Sequence, residues 1–202
     1  MATAVAMFHA QNRALQDRFG SRALADRLVE TRHRTVFTPE DAAFIAGRPF
    51  FFLATADAEG RPDCSFKGGD PGFVRVLAPD LLAFPDYDGN GMFKSLGNIR
   101  ANPAVGLLFI AFEHGAPLAR LRVNGAAAVS AEDDPLLRDF PGGQLLVRVR
   151  PQHIFPNCPR YIPDLATKAL SPYTPRPGSV PPEPEWKSRA VLRDVVPPRR
   201  CS

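Results

Sequence analysis

Phe50-Phe51-Phe52-Leu53-Ala54-Thr55-Ala56, then Asp57-Ala58-Glu59-Gly60, then Arg61-Pro62-Asp63-Cys64-Ser65-Phe66-Lys67: two runs of strand-forming residues stand on either side of four turn residues. Aromatic and β-branched side chains suit a pleated, half-buried surface. A four-residue link leaves no room for a crossover, so the two runs must pair antiparallel. Strands are expected over 50–56 and 63–67.

Working outward, residues 73–77 and 81–84 form two more short β runs, joined by Ala78-Pro79-Asp80, so a meander or barrel begins here. Asp88-Gly89-Asn90-Gly91 then marks a turn. Met92, Phe93, Leu96 and Ile99 recur at helical intervals after it, with Asn90 expected to cap a helix that stops before Pro103. Residues 104–112, 118–129 and 144–149 supply three further strands, and a short helix is expected near 133–138. The count is about seven.

Upstream, Leu15 with Phe19 and Leu24 with Leu28 predict an amphipathic helix over 7–32, interrupted at Gly20. Thr38-Pro39-Glu40-Asp41 carries a hydroxyl cap, proline at the first helical position and acids in the first turn, predicting a helix to Ala46. Downstream of 150 the texture changes, because 12 of the 22 prolines fall in the last 52 residues and disfavour regular ladders. The organisation is therefore a helical segment at 1–46, a barrel at 47–150 and a proline-rich segment at 151–202. Phe155, Tyr161, Tyr173 and Trp186 are anchors that would wrap that last segment over a barrel or partner chain.

Composition restricts the function classes. The chain has 202 residues, 45% hydrophobic, with a net charge of +4 that suits an anionic ligand without requiring one. Cys64, Cys158 and Cys201 lack paired spacing, which points away from a disulfide framework or zinc site and towards a reducing, cytoplasmic setting. No metal is expected, and no apolar run approaches the length of a membrane span. Nucleic-acid binding is disfavoured because the aromatics 50–52 are consecutive rather than interleaved with basic residues.

Three segments can carry ligand chemistry. Strand alternation puts Arg61, Asp63, Ser65 and Lys67 on one face and turns Cys64 and Phe66 to the other, where Cys64 reads as a buried core thiol. Arginine offers a two-pronged fork to a phosphate, serine a hydroxyl donor, lysine a mobile charge; an ordinary wet strand face gives the same pattern. The second segment is the helix start, with Asn90, Met92, Lys94 and Ser95, where free N–H groups attract phosphate. The third is the alternating pair Arg120 and Arg122.

The order and spacing of these segments resemble the pyridoxamine 5'-phosphate oxidase-like, FMN-binding split-barrel superfamily, over roughly residues 50–129. The likeness is carried by Phe52-Leu53-Ala54-Thr55, Gly60-Arg61-Pro62 through Lys67-Gly68-Gly69, Pro71-Gly72-Phe73-Val74, residues 91–98, Asn102-Pro103-Ala104-Val105-Gly106-Leu107-Leu108-Phe109 and Arg122-Val123-Asn124-Gly125. The resemblance implies a mainly β fold with flanking helices: a split β-barrel of about seven antiparallel strands, forming a homodimer with FMN at the interface. It implies that Arg61, Lys67 and Lys94 lie near the phosphate, that the backbone between Arg61 and Lys67 lines the flavin ring, and that Ser65 is a neighbour. Ser95 stands where the oxidases usually carry a second basic residue, and no glutamine accompanies Arg120 and Arg122, which would take over contact from the partner. Trp186 is not followed by the oxidases' Arg-Leu-His signature. The implied function is an FMN-dependent oxidoreductase acting on a small molecule, other than a true pyridoxal phosphate synthase. The alternative is a non-catalytic flavin or haem binder.

Overall fold

A computed structural model describes residues 7–113, 115, 118–165 and 182–196. The anchor Tyr173, the third cysteine Cys201 and the pair Arg199/Arg200 lie outside the described residues. The chain divides into two units, 34–111 with 116–157, and 1–33 with 112–115 and 158–202.

In the smaller unit the expected long helix is two, α1 (Ala10–Arg18) and α2 (Arg22–Arg32), broken where Gly20 takes φ +62°. Arg13 bridges to Asp26 across the break, and Arg27 donates to the Val191 carbonyl. Trp186 sits in a short 3-10 helix, Glu185–Ser188.

The larger unit opens with α3 (Pro39–Ala46), whose capping box is formed by Thr38 and Asp41. The buried Asp41 also receives a two-pronged Arg34 guanidinium, Nη2 to Oδ1 at 2.6 Å and Nε to Oδ2 at 3.2 Å, which compensates its charge. Then come β1 (Phe50–Ala56), β2 (Pro62–Gly68), β3 (Arg75–Ala78), β4 (Leu81–Tyr87), α4 (Lys94–Ala101), β5 (Ala104–Ile110), β6 (Arg120–Val129), a 3-10 turn at Pro135–Asp139 and β7 (Gly143–Asn157). The seven strands form one antiparallel sheet in the order β2-β1-β5-β6-β7-β4-β3, a mainly β split barrel with flanking helices.

Alternation builds the core. Phe51 and Leu53 of β1, Phe84 of β4, Leu107 and Phe109 of β5, and Leu121 and Val123 of β6 all point inward and are buried. Phe51 meets Phe84 edge to face, with ring centroids 4.9 Å apart. Gly125 sits at a bulge where β6 crosses β7 so closely that a Cβ would stand 2.1 Å from the Arg150 carbonyl oxygen, so only glycine fits.

Several expected boundaries move. The strand expected over 144–149 runs on to Asn157, through Pro151 and Pro156. The strand expected over 81–84 continues through Pro85 to Tyr87. β3 pairs with β4 only as far as Ala83, so beyond that point β4 has a bare edge on that side and a missing N–H there removes no ladder bond. The strand expected at 73–77 starts two residues later, with Phe73 and Val74 buried in the core before it. Asn90 does not cap α4: its side chain accepts from Met92 N in a local turn, and Phe93 is the N-cap residue, at a left-handed φ of 47°.

Candidate phosphate site at the start of α4

The register between β1 and β2 decides where the polar stripe points. Leu53 faces Ser65, Phe51 faces Lys67 and Thr55 faces Asp63, so Asp63, Ser65 and Lys67 share the inward side with the core residues of β1. They can do so because β2 is the outermost strand, and its inward side meets α4 rather than a closed apolar interior. The Ser65 and Ser95 hydroxyls are hydrogen-bonded at 3.0 Å, and Asn98 Nδ2 donates to Thr55 Oγ1 at 3.0 Å one helical turn further on. A polar seam thus joins α4 to β1 and β2.

Cys64 and Phe66 occupy the other side, and both are exposed, Phe66 at 62%. The expectation of a buried Cys64 thiol is therefore corrected: α4 covers the polar side of β2, which leaves the thiol side outside. Phe66 stacks on Phe50 at 5.3 Å and meets Phe52 edge to face at 6.2 Å, an aromatic group on the outer surface of the hairpin.

At the mouth of the seam, Lys67 Nζ lies 3.9 Å from Asp86 Oδ1, with both side chains mostly buried at 22% and 12% exposure. Burial raises the Asp86 pKa above the usual aspartate range, and the Lys67 charge only partly offsets this. Asp86 was not among the residues expected at the site. Its signal lay in the alternation Leu82-Phe84-Asp86, hidden by ending the strand before Pro85. Thr55 and Asn98 were likewise missed, since nothing in sequence pairs residues 43 positions apart.

The start of α4 is open. Phe93 gives no side-chain cap, and the first bond of the helix is from Gly97 N to the Phe93 carbonyl, so the amides of Lys94, Ser95 and Leu96 precede the first helical donor. The Lys94 side chain is exposed, and Met92 and Phe93 project at 72% and 51% exposure.

The remaining candidates lie apart from this group. Arg61 belongs to the β1–β2 turn, where it donates to Asp57 at 2.6 Å and Glu59 at 2.7 Å, and its hydrogen bond to Asp57 holds that carboxyl below its usual range. Arg120 and Arg122 are on β6, on the outer side shared with Phe52 and Phe66; Arg122 lies over the Phe155 ring at 5.8 Å. β1 and β5 intervene between β6 and β2, which amounts to roughly 14 Å from three strand spacings. Within one chain the structure therefore joins Ser65 to Ser95 at the α4 start, with Lys67 two residues along the same face of β2 and Asn90, Met92 and Lys94 in the segment leading into the helix, and leaves Arg61, Arg120 and Arg122 elsewhere.

The sequence model for pyridoxamine 5'-phosphate oxidase matches residues 37–158, well over half of the chain. The chain belongs to the pyridoxamine 5'-phosphate oxidase family. No curated protein matches it. Similar solved structures include HupZ of Group A Streptococcus, at 15% identity and TM-score 0.46, covering 67% of this chain and 99% of that one. HutZ, the heme storage protein of Vibrio cholerae, is 20% identical with TM-score 0.40, covering 59% and 92%. General Stress Protein 26 of Bacillus anthracis is 18% identical with TM-score 0.41, covering 66% and 92%. In this member of the oxidase family, residues 37–158 take in α3, α4 and the whole seven-stranded sheet: the match begins at Phe37, before α3, and ends one residue after β7.

Among the described residues, no helix is long and apolar enough to cross a membrane, and no cluster of three metal-ligating side chains occurs.

Proposed function

We propose that this family member is an FMN-binding oxidoreductase that works as a homodimer in a reducing compartment, with a small organic acceptor or oxygen as the second substrate. The observation that carries the reading is the Ser65–Ser95 contact at the uncapped amide end of α4, with Lys67 two residues along the same face of β2. One ammonium, two hydroxyls and free backbone N–H groups are the donors a terminal phosphate needs. These residues fit the phosphate end of FMN, while the exposed Met92 and Phe93 offer apolar surface beside it. Bound flavin would supply the hydride- and electron-accepting ring; the chain's own residues would anchor it, orient it and exclude water.

Two features support the dimer. Phe50, Phe52 and Phe66 form an outward aromatic cluster on the β1–β2 hairpin, continued across the sheet by Leu108 and Arg122 in one cross-strand row. A second copy on this face would cover the cluster, and it would bring Arg120 and Arg122 to a partner's ligand that they cannot reach in their own chain. Arg61 is less suited to the phosphate than the resemblance implies, because two turn carboxylates already hold it.

The test is titration of the purified protein with FMN, followed by anaerobic NADH or NADPH. Flavin bands that bleach with reductant are expected, with binding lost in Lys67→Ala. Bound flavin that no reductant bleaches would leave a binding protein and remove the enzyme. Unchanged FMN affinity in a folded Lys67→Ala would remove the site.

A further inference from the structure

The Lys67–Asp86 contact is hard to reconcile with a plain phosphate anchor. An anchor that waits for a dianion has no need of a carboxylate beside it, and this carboxylate is buried, a costly place for a charge held by one partner. The contact is also loose. At 3.9 Å it is an ion pair without a hydrogen bond, whereas Arg34–Asp41 and Arg61–Asp57 close to 2.6 Å. The other polar groups of the seam are matched in pairs, Ser65 with Ser95 and Thr55 with Asn98.

Among the described residues, no other charge competes for Asp86. Leu145 stands across from it on β7, Gln144 is engaged with Asp88, and β3 has ended its pairing with β4 at Ala83. Lys67 is the charge that acts on its carboxyl. Among the described residues the ammonium therefore has one counter-ion, held weakly, two residues along β2 from the Ser65–Ser95 pair.

We infer that Asp86 is an internal counter-ion that Lys67 exchanges for the phosphate of an incoming ligand, so that Asp86 limits how strongly the site prefers phosphorylated over unphosphorylated ligands. This rests on the reading of Lys67 as a phosphate anchor. When the ammonium swings to the phosphate, Asp86 is left facing a group of its own sign across a partly desolvated gap, and that repulsion subtracts from the affinity. Removing the charge while keeping the shape removes the subtraction.

The experiment is calorimetric titration of the full chain and its Asp86→Asn variant with FMN, riboflavin and inorganic phosphate at neutral pH. Asp86→Asn is expected to bind FMN more tightly, on the order of tenfold for one like charge removed at short range, with riboflavin affinity unchanged. Adding Lys67→Met should abolish the gain. Equal FMN affinity in both proteins would overturn the inference while leaving the flavin reading standing. A gain shared equally by FMN and riboflavin would also overturn it, because the phosphate would then be uninvolved. Tighter phosphate binding in the variant without flavin binding in either protein would support the counter-ion and end the flavin reading; no binding of any ligand would end both. Should Asp86→Asn fail to fold, Asp86→Ser carries the same expectations.

Discussion

β1 and β2 are hydrogen-bonded neighbours in one hairpin, yet they use their two faces in opposite ways. On β1 the inward residues Phe51 and Leu53 are wholly buried among other apolar side chains. On β2 the inward residues opposite them are Lys67 and Ser65, and it is the outward side that carries the exposed Phe66. The difference comes from position in the sheet. β1 lies between two strands and over a closed core, while β2 is at the edge, where the Ser95 hydroxyl of α4 meets Ser65 in place of hydrocarbon. A polar residue facing inward needs a partner, and on β2 a helix hydroxyl supplies one to Ser65.

The sharpest way to break this comparison is to truncate one residue of each kind. Leu53→Ala should cost about 3 kcal/mol of folding stability in chemical denaturation, in the range for opening a cavity in a packed core. Phe66→Ala, on the outer side, should cost about 1 kcal/mol or less in dilute solution, since only the stacking on Phe50 and Phe52 is lost. If the two losses were equal, Phe66 would be as enclosed as Leu53 and the outer face would already be covered.

The hairpin's pairing was legible from its turn and its residue types, as were the count of seven strands and the break at Gly20, because each is set by local chemistry. Which side of β2 faced inward was not. Alternation assigns residues to two sides but does not label them, and the usual preference for a buried thiol chose wrongly for Cys64. The site was half legible for the same reason. Ser65, Lys67 and Ser95 announced themselves by type, but Asp86 depends on β4 reaching Lys67 of β2, and the Thr55–Asn98 bond on α4 lying against β1, which no spacing along the chain encodes. Proline caused the misplaced ends of β4 and β7: at 85, 151 and 156 it sits inside strands, with Pro85 placed where β3 no longer pairs with β4.

A smaller effect would sharpen the polar side of the comparison. Because burial raises the Asp86 pKa, the folded protein binds that proton more tightly than the unfolded chain does. Stability contributed by this group is therefore present at acid pH and lost as pH rises from the ordinary aspartate value through the raised one. Asp86→Asn lacks that titration. The thermal midpoint of the variant minus that of the wild type should grow from about pH 4 to pH 7, and the subtraction cancels Asp57 and Asp134, whose lowered pKa values give the opposite slope in both proteins. A difference that shrinks with rising pH would mean that the Lys67 attraction outweighs burial.

The smallest effect expected is at Arg61, and it separates two cations that look equivalent in sequence. Arg61 is 73% exposed and tied to Asp57 and Glu59 in its own turn, while Lys67 is mostly buried on the inward face of β2 beside Asp86. Exposed pairs of the first kind contribute little and are screened by salt. Arg61→Ala should therefore leave FMN affinity within about twofold of wild type in a fluorescence titration, the size of effect expected from a solvated charge, whereas Lys67→Ala removes the anchor itself. Arg61→Ala still has a local signature, because its hydrogen bonds are what hold the Asp57 carboxyl low. An NMR titration of that carboxyl should move upward in the variant whether or not flavin is present. Loss of flavin in Arg61→Ala, with Asp57 unmoved, would mean that the guanidinium leaves its turn for the ligand, and the contrast between the turn and the seam would no longer separate structure from function.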